Sequence, residues 1–299
     1  MKPFIVIPAH DEAATIGRVV RGARAHAPVI VVDDGSHDNT AQAAALAGAD
    51  LCRHPRRCGK AQALRTGVAA ARERGATHVV TLDADGQHDP DDVPALLAAA
   101  TPRTLVVGAR QRADAALPAG RAEAVVIAGF FVNWASGLRL ADTQSGFRVY
   151  PVVMFDDVPA RRGGFVFETE VLLAAAAHGW TVREVPVRAL PRAAARSRFR
   201  PMVDGTAIGA HLAARSLSRI AREASAAEWW RHPRRRRAAA AARAVLALPI
   251  VLPVLAVAAL TGWRTPAASA LVASLYAQER LDAGPSRPTE AIEALWTRS

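Results

Sequence analysis

The chain has 299 residues, enough to bury one large core and carry an appendage. Its hydrophobic fraction is 51%, much of it alanine, which points to abundant helix; two cysteines, Cys52 and Cys58, make neither a disulfide framework nor a zinc pattern and read as free thiols of a reducing compartment. The net charge of +11 is localised: residues 183–243 hold 15 Arg against 4 acids, and the rest balances at 23 basic and 23 acidic residues, so one segment seeks an anionic partner.

Met1-Lys2-Pro3 leads straight into an apolar run with no signal-peptide pattern, and Phe4–Pro8 reads as a first buried strand. A helix is expected over Glu12–His26, with Asp11 as its N-cap. Val29–Asp33 is a second strand, Asn39–Ala47 a helix capped by Asp38, and Leu51–His54 a short third strand. Lys60–Arg74 carries an apolar stripe at Ala63, Leu64, Gly67, Val68 and Ala71. A strand over His78–Leu82, a helix over Asp91–Ala100 and a strand over Thr104–Ala109 follow. This alternation predicts an α/β fold with a mostly parallel, doubly wound sheet. After Gly120 the pattern changes to a long apolar helix over Ala122–Leu138, a second within Phe165–Gly179, a strand over Thr181–Val187 and a basic amphipathic helix over Val203–Ala224.

Four polar clusters punctuate the pattern: Pro8-Ala9-His10-Asp11-Glu12, Val31–Ser36 with Asp33-Asp34, Asp83-Ala84-Asp85-Gly86-Gln87-His88, and Asp142–Arg148. The first three leave the C-terminal ends of predicted strands and so converge on one sheet edge, where open α/β sheets bind ligands. The paired carboxylates Asp83 and Asp85 suit Mg²⁺ or Mn²⁺, which bridge carboxylates to substrate phosphates. A dinucleotide fingerprint is excluded because Pro-Ala-His-Asp-Glu stands where G-x-G-x-x-G is needed. A P-loop is excluded because His54 and Ala61 flank Gly59-Lys60 where Gly and Ser or Thr are required.

Taken in order, the four clusters resemble those of family 2 glycosyltransferases with the GT-A fold, in the branch of dolichyl-phosphate mannose synthases and bacterial polyprenyl-phosphate glycosyltransferases. The resemblance covers roughly residues 3–205. It implies that Pro8, Ala9 and Glu12 hold the nucleotide and that Val32 and Asp34 meet the base and ribose. Asp83, Ala84, Asp85 and Gln87 match the metal and diphosphate site, with the metal on Asp85 and Gln87 and Asp83 on the ribose or a metal-bound water. Arg110, from Gly108-Ala109-Arg110, matches an arginine that meets the donor. Asp142 matches a carboxylate near the acceptor, Glu168 lies in a matching Phe167-Glu168-Thr169-Glu170, and Arg198 lies in a loop, Ser197–Arg200, that closes over the site. Asp11 stands where the family has Asn, and Arg57-Cys58-Gly59-Lys60-Ala61 departs from its N-x-G-K-G, which leaves the sugar and base open.

The implied reaction is inverting transfer of a sugar from a nucleoside-diphosphate sugar, with Mg²⁺ or Mn²⁺ and Arg110 or Arg198 neutralising the leaving diphosphate. A hydroxyl acceptor needs a general base, for which Asp142 or Glu168 qualifies, whereas a phosphate acceptor needs only positioning. The uncharged run Ala244–Gly262 is near bilayer-spanning length, follows Arg231 and Arg234–Arg237, and is flanked by Trp229, Trp230 and Trp263. It reads as a span or an interfacial helix, and Pro266–Ala277 as a hairpin return or a second interfacial helix. The expected organisation is a catalytic domain over 1–227, a basic hinge over 228–243, C-terminal membrane-associated helices over 244–283 and a tail over 284–299. The expected partners are a sugar nucleotide, a polyprenyl-phosphate-type lipid acceptor and the anionic cytoplasmic face of the inner membrane, with no nucleic acid. The competing readings are transfer to a lipid hydroxyl or glycan, a nucleotidyltransferase, or a non-catalytic basic adaptor. An adaptor needs no acidic crevice, and acids there repel nucleic acid.

Overall fold

The computed structural model describes residues 1–110, 136–158 and 166–190, together with Gly129, Val132 and Asn133. The chain divides into two compact units, Met1–Arg200 and Pro201–Ser299, and every described residue belongs to the first. The Ser197–Arg200 loop with Arg198, the helix over Val203–Ala224, the hinge over 228–243 and the apolar runs Ala244–Gly262 and Pro266–Ala277 lie outside the described residues, as does most of Ala122–Leu138. Among the described residues no helix is long and apolar enough to cross a membrane.

The first half alternates as its hydrophobic pattern dictates: β1 (Pro3–Ala9), α1 (Ala13–Arg24), β2 (Val29–Asp33), α2 (Thr40–Leu46), β3 (Asp50–Arg53), α3 (Lys60–Glu73) and β4 (His78–Thr81). A single 3₁₀ turn over Pro90–Asp92 leads into α4 (Val93–Ala98), where a longer helix over Asp91–Ala100 is expected. Asp89 accepts from the Asp91 amide and Pro90 fixes the tight turn, which shortens the α-helix. The remaining elements are β5 (Thr104–Arg110), β6 (Arg148–Pro151), α5 (Met154–Asp157), α6 (Val166–Ala177) and β7 (Thr181–Val187).

The seven strands form one sheet in the order β3-β2-β1-β4-β6-β5-β7. Strands β1 to β4 pair in parallel, as do β5 and β7, and β6 alone runs antiparallel to β4 and β5. The sheet is therefore mostly parallel but mixed. Sequence reading misses β6 because Arg148-Val149-Tyr150-Pro151 is short, opens on a charge and ends on proline, all of which argue for a loop. The reversal has a consequence for the site. Thr81 pairs with Arg148, so the segment entering β6 arrives at the edge that β4 leaves, and the Thr81 hydroxyl donates to the Gly146 carbonyl at 2.7 Å. The fourth polar cluster precedes its strand yet joins the three that follow theirs.

Burial explains the strand calls. Phe4, Ile5, Val6 and Ile7 of β1 are all buried, as are Val29–Val32 of β2, because helices cover both faces of a parallel sheet. Helix α1 buries Thr15, Ile16, Val19, Val20 and Ala23 along one stripe. Helix α3 crosses β1 and β2 closely at Gly67, where an added Cβ would collide with Val6 Cγ1 and stand 3.1 Å from Val32 Cγ2.

One cap differs from expectation. Asp11 does not cap α1; it adopts φ 48° and its Oδ1 accepts from the His37 amide at 2.7 Å. Asp38 caps both helices instead, accepting from Ala13 of α1 at 3.1 Å and from the Thr40 amide of α2 at 3.0 Å. With Asp11 N donating to Ser36 Oγ at 2.9 Å and Glu12 N to Thr40 Oγ1 at 2.7 Å, the loops after β1 and β2 are clasped into one wall.

Gly67→Ala is expected to lower stability by about 1–3 kcal/mol through overpacking against Val6. A denaturant titration of the variant checks this, and an unchanged midpoint would refute the close crossing.

Candidate active site

The register sets the site before any side chain is considered. Pro8 pairs with Val32, Ala9 with Asp33, and Val6 with Thr81, so the chain leaves three adjacent parallel strands at one level. Into this edge projects Lys60, the first residue of α3, after Gly59 at φ 93°. Its Nζ lies 2.7 Å from Asp83 Oδ1 and 2.8 Å from Glu168 Oε1 on α6. His88 Nε2 stands 3.2 Å from Asp83 Oδ2, and its ring packs 5.2 Å from that of Phe147. Gly146 closes the group from above: a Cβ there would stand 2.8 Å from Lys60 Nζ and 2.9 Å from Asp83 Oδ2.

Burial disfavours charge on both Lys60 and Asp83, but each charge more than offsets it for the other. The Lys60 ammonium and the His88 hydrogen bond hold the Asp83 carboxyl well below the usual range, and Asp83 and Glu168 hold Lys60 above the ordinary lysine value. Two buried polar atoms around this group, His88 Nδ1 and Glu168 Oε2, make no hydrogen bond among the described residues.

A second ion pair lies at the end of β5. Arg110 grips Asp142 through Nε at 2.6 Å and Nη2 at 3.0 Å, a bidentate fork. Burial raises the Asp142 carboxyl, but the guanidinium and the amides of Arg110 and Gln144 outweigh it and hold the group low. Asp142 in turn is set by Glu184 of β7, whose two oxygens accept from the Asp142 amide at 2.8 Å and the Ala141 amide at 2.7 Å. Burial pushes the Glu184 carboxyl up, against the pull of those two amides. Sequence reading missed Glu184; its one signal is a lone acid in the otherwise apolar and basic strand Thr181–Val187.

Arg148, at the start of β6, is fully buried and donates to three carbonyls: Ser145 at 2.8 Å, Glu168 at 3.0 Å and Thr143 at 3.0 Å. It thus fastens the loop over 143–145 to the first turn of α6, which carries Glu168. Its role is structural and its guanidinium is saturated from within the protein.

Asp34 is buried behind this edge. Its carboxylate accepts from the Cys58 amide at 2.8 Å and the Gly59 amide at 2.7 Å and lies 2.8 Å from His54 Nδ1. Burial raises the group, and these three partners bring it below the ordinary value. Beside it an open cleft of about 780 Å³ is lined by Ser36, His37, Arg53, His54, Arg56 and Arg57, among others. Asp34, His54 and Cys58 are the one set of three ligand-bearing side chains within mutual reach among the described residues. The amides on Asp34 already occupy its oxygens, so this trio is a clasp for the loop before α3.

The structure brings Asp83 and Glu168 together through Lys60, His88 onto Asp83, and Arg110 together with Asp142. It also sets the surroundings of the other residues named from the sequence. Val32 is fully buried with its side chain toward Gly67, and Ala9 and Ala84 are 3% and 4% exposed, so Val32 presents no surface to a base and the two alanines offer backbone alone. Asp34 meets the loop before α3 rather than open space. Asp83 is bound to Lys60 and His88, and Asp142, held low by Arg110, is a weak base. Pro8 and Glu12 are half-buried at the edge, and Glu12 Oε2 lies 3.2 Å from the Thr15 hydroxyl. For a divalent metal, the half-buried Asp85 and Gln87 offer carboxylate and amide oxygens, a hard-oxygen set that fits Mg²⁺ or Mn²⁺ when diphosphate and water complete the shell.

Comparison with known proteins agrees with this geometry. Residues 4–145 match the model of the glycosyl transferase family 2 domain. An uncharacterized glycosyltransferase of Mycobacterium tuberculosis is 30% identical over 207 residues, covering 68% of this chain and 92% of that protein. The chain belongs to glycosyltransferase family 2. An undecaprenyl-phosphate mannosyltransferase of Micrococcus luteus is 27% identical over 230 residues, 70% of this chain and 91% of that protein. Glucosyl-3-phosphoglycerate synthase of Mycobacterium tuberculosis, solved with Mn²⁺, uridine diphosphate and phosphoglyceric acid, shares the fold at a TM-score of 0.59 and 21% identity, over 72% of this chain and 78% of that one. The described unit is thus the GT-A domain of a family 2 glycosyltransferase.

Two outcomes follow. Arg148→Ala removes the donor from the buried carbonyls of Thr143 and Ser145 and one of the bonds to that of Glu168, and is expected to cost about 3 kcal/mol or more of stability in a denaturant titration. Asp34, Asp83 and Asp142 are depressed in the fold, so the stability they contribute is full above the unfolded carboxylate value of about 4 and lost as pH falls through their lower folded values. Glu184, shifted up, works in the opposite sense. Melting temperature is expected to hold from pH 7 to about 5 and fall below about 4, and the deficit of Asp34→Asn relative to the wild type to shrink over that fall.

Proposed function

We propose that the enzyme transfers a sugar from a nucleoside-diphosphate sugar to a polyprenyl-phosphate-type lipid at the cytoplasmic membrane face, with inversion. The observation that carries this reading is the engagement of the site's carboxylates. Asp142 is held low by a bidentate arginine, and Asp83 and Glu168 share one lysine. A general base works best with a pKa near the working pH, and a depressed carboxylate takes up an acceptor proton poorly. A phosphate acceptor is already an anion and asks only to be positioned. The Micrococcus relative, named for undecaprenyl phosphate, supports the same acceptor class.

In this reading an acceptor phosphate oxygen attacks the anomeric carbon, and the bond from that carbon to the donor's diphosphate breaks. Arg110 offers Nη1, the corner of its guanidinium outside the Asp142 fork, to the leaving phosphate. Lys60 holds Asp83 and Glu168 in place and shares its one charge between them. A divalent cation held by Asp85, with Gln87, would supply further charge neutralisation on the diphosphate. The basic block in 183–243 and the uncharged run Ala244–Gly262 would keep the enzyme on an anionic surface where the lipid resides.

The purified full chain, given UDP- and GDP-sugars with Mn²⁺, is expected to label a polyprenyl phosphate in vesicles and to leave the matching polyprenol unlabelled. Labelling of polyprenol or of phosphoglyceric acid in its place would overturn the acceptor. EDTA and Asp85→Ala are each expected to reduce turnover at least about 100-fold with the melting temperature retained. Full turnover in EDTA would remove the metal from the mechanism.

A further inference from the structure

The loop carrying Asp142 is held from a strand that the reaction does not otherwise involve. Glu184 sits on β7 in register with Val107 of β5, three residues before Arg110, and β5 and β7 run in parallel to the level of Arg110 and Val187. From there its carboxylate spans two consecutive amides, 2.7 Å to Ala141 and 2.8 Å to Asp142. Asp142 then turns its own carboxylate onto Arg110, and Oδ1 also accepts from the Gln144 amide at 3.1 Å. A continuous path therefore runs from a half-buried carboxylate on β7, through a backbone segment, to the guanidinium at the end of β5.

We infer that Glu184 is a positioning residue for transfer, setting the Arg110 guanidinium by way of the Asp142 backbone. The chemistry of the side chain supports a dedicated role. A carboxylate is the side chain that accepts at both oxygens, so it alone caps two adjacent amides with a charge-assisted fork. A glutamine keeps the shape but turns an NH₂ against one of those amides, losing one bond and leaving a donor facing a donor. The loop then pivots, and the Arg110 fork tilts with it. Arg110 acts on charge that develops as the diphosphate leaves, so a tilt of that group costs rate more than ground-state donor binding. Two other side chains hold the same loop at its flanks, Asn133 at the amide and carbonyl of Leu140 and Arg148 at the carbonyls of Thr143 and Ser145, and Glu184 grips the Ala141 and Asp142 amides between them.

This inference rests on the reading of Arg110 and Asp142 as parts of the transfer site, and the experiment separates the two. Glu184→Gln, Asp142→Asn and the double variant are compared in the full chain for kcat, donor Kd by calorimetry, and melting temperature. Glu184→Gln is expected to lower kcat about 10-fold or more, to leave donor Kd within about twofold, and to retain the fold to the donor-binding stoichiometry of the wild type. In the Asp142→Asn background the same change is expected to add little, because both act through one guanidinium. Glu184→Asp, with a carboxylate one methylene shorter, is expected to recover part of the loss. An unchanged kcat in Glu184→Gln alongside an impaired Asp142→Asn would overturn the positioning role and leave the site reading intact. An unimpaired Asp142→Asn would overturn the site reading itself. Parallel losses of kcat, donor affinity and melting temperature in Glu184→Gln would reduce Glu184 to a structural residue and overturn the inference.

Discussion

The site depends on a buried ammonium shared by two carboxylates. Lys60 reaches Asp83 at 2.7 Å and Glu168 at 2.8 Å, joining the start of α3, the loop after β4 and the first turn of α6. Removing Lys60 leaves two carboxylates facing each other without their shared counter-ion, which costs more than the pairs contribute when intact. Three elements distant in sequence are thereby tied to one point. Gly146 is the corollary: the loop that covers the trio can approach only where no Cβ intervenes.

Around that point the remaining charges are arranged in pairs that keep each carboxylate ionised and each cation aimed. Asp142 engages Arg110 from the loop before β6, and Asp34 gathers the amides before α3. The arrangement is electrostatic preorganisation. Cations fixed before the substrate arrives need not reorganise when a diphosphate takes on charge, so their stabilisation falls on the transition state. It also explains why Asp142 is ill suited to serve as a base, since the ion pair that aims Arg110 holds its carboxyl low.

The fold makes this arrangement possible through one reversed strand. A purely parallel sheet delivers only loops that follow strands to its carboxyl edge. The antiparallel β6 delivers a loop that precedes its strand, and so Asp142 and Gly146 reach the edge from the opposite chain direction. Arg148 holds the junction, buried and satisfied by three carbonyls, and its cost of burial is met by hydrogen bonds rather than by a counter-ion.

By itself the sequence determined the parallel half of the sheet, the helices over it and the loops that carry acids. Runs such as Phe4–Ile7 and Val29–Val32 can only be strands covered on both faces, and an acid after such a run must sit at the sheet's edge. It likewise placed Asp83 and Asp142 in polar clusters, and the resemblance to family 2 motifs added Arg110 and Glu168. Tertiary structure alone decided which of these charges meet. Lys60 finds Asp83 and Glu168, Arg110 finds Asp142, Glu184 finds the amides of 141 and 142, and Arg148 turns inward, all across long stretches of chain. Local pattern reports which residues a backbone must bury. Pairing between charges depends on how separate elements pack, and no periodicity along the chain encodes that distance.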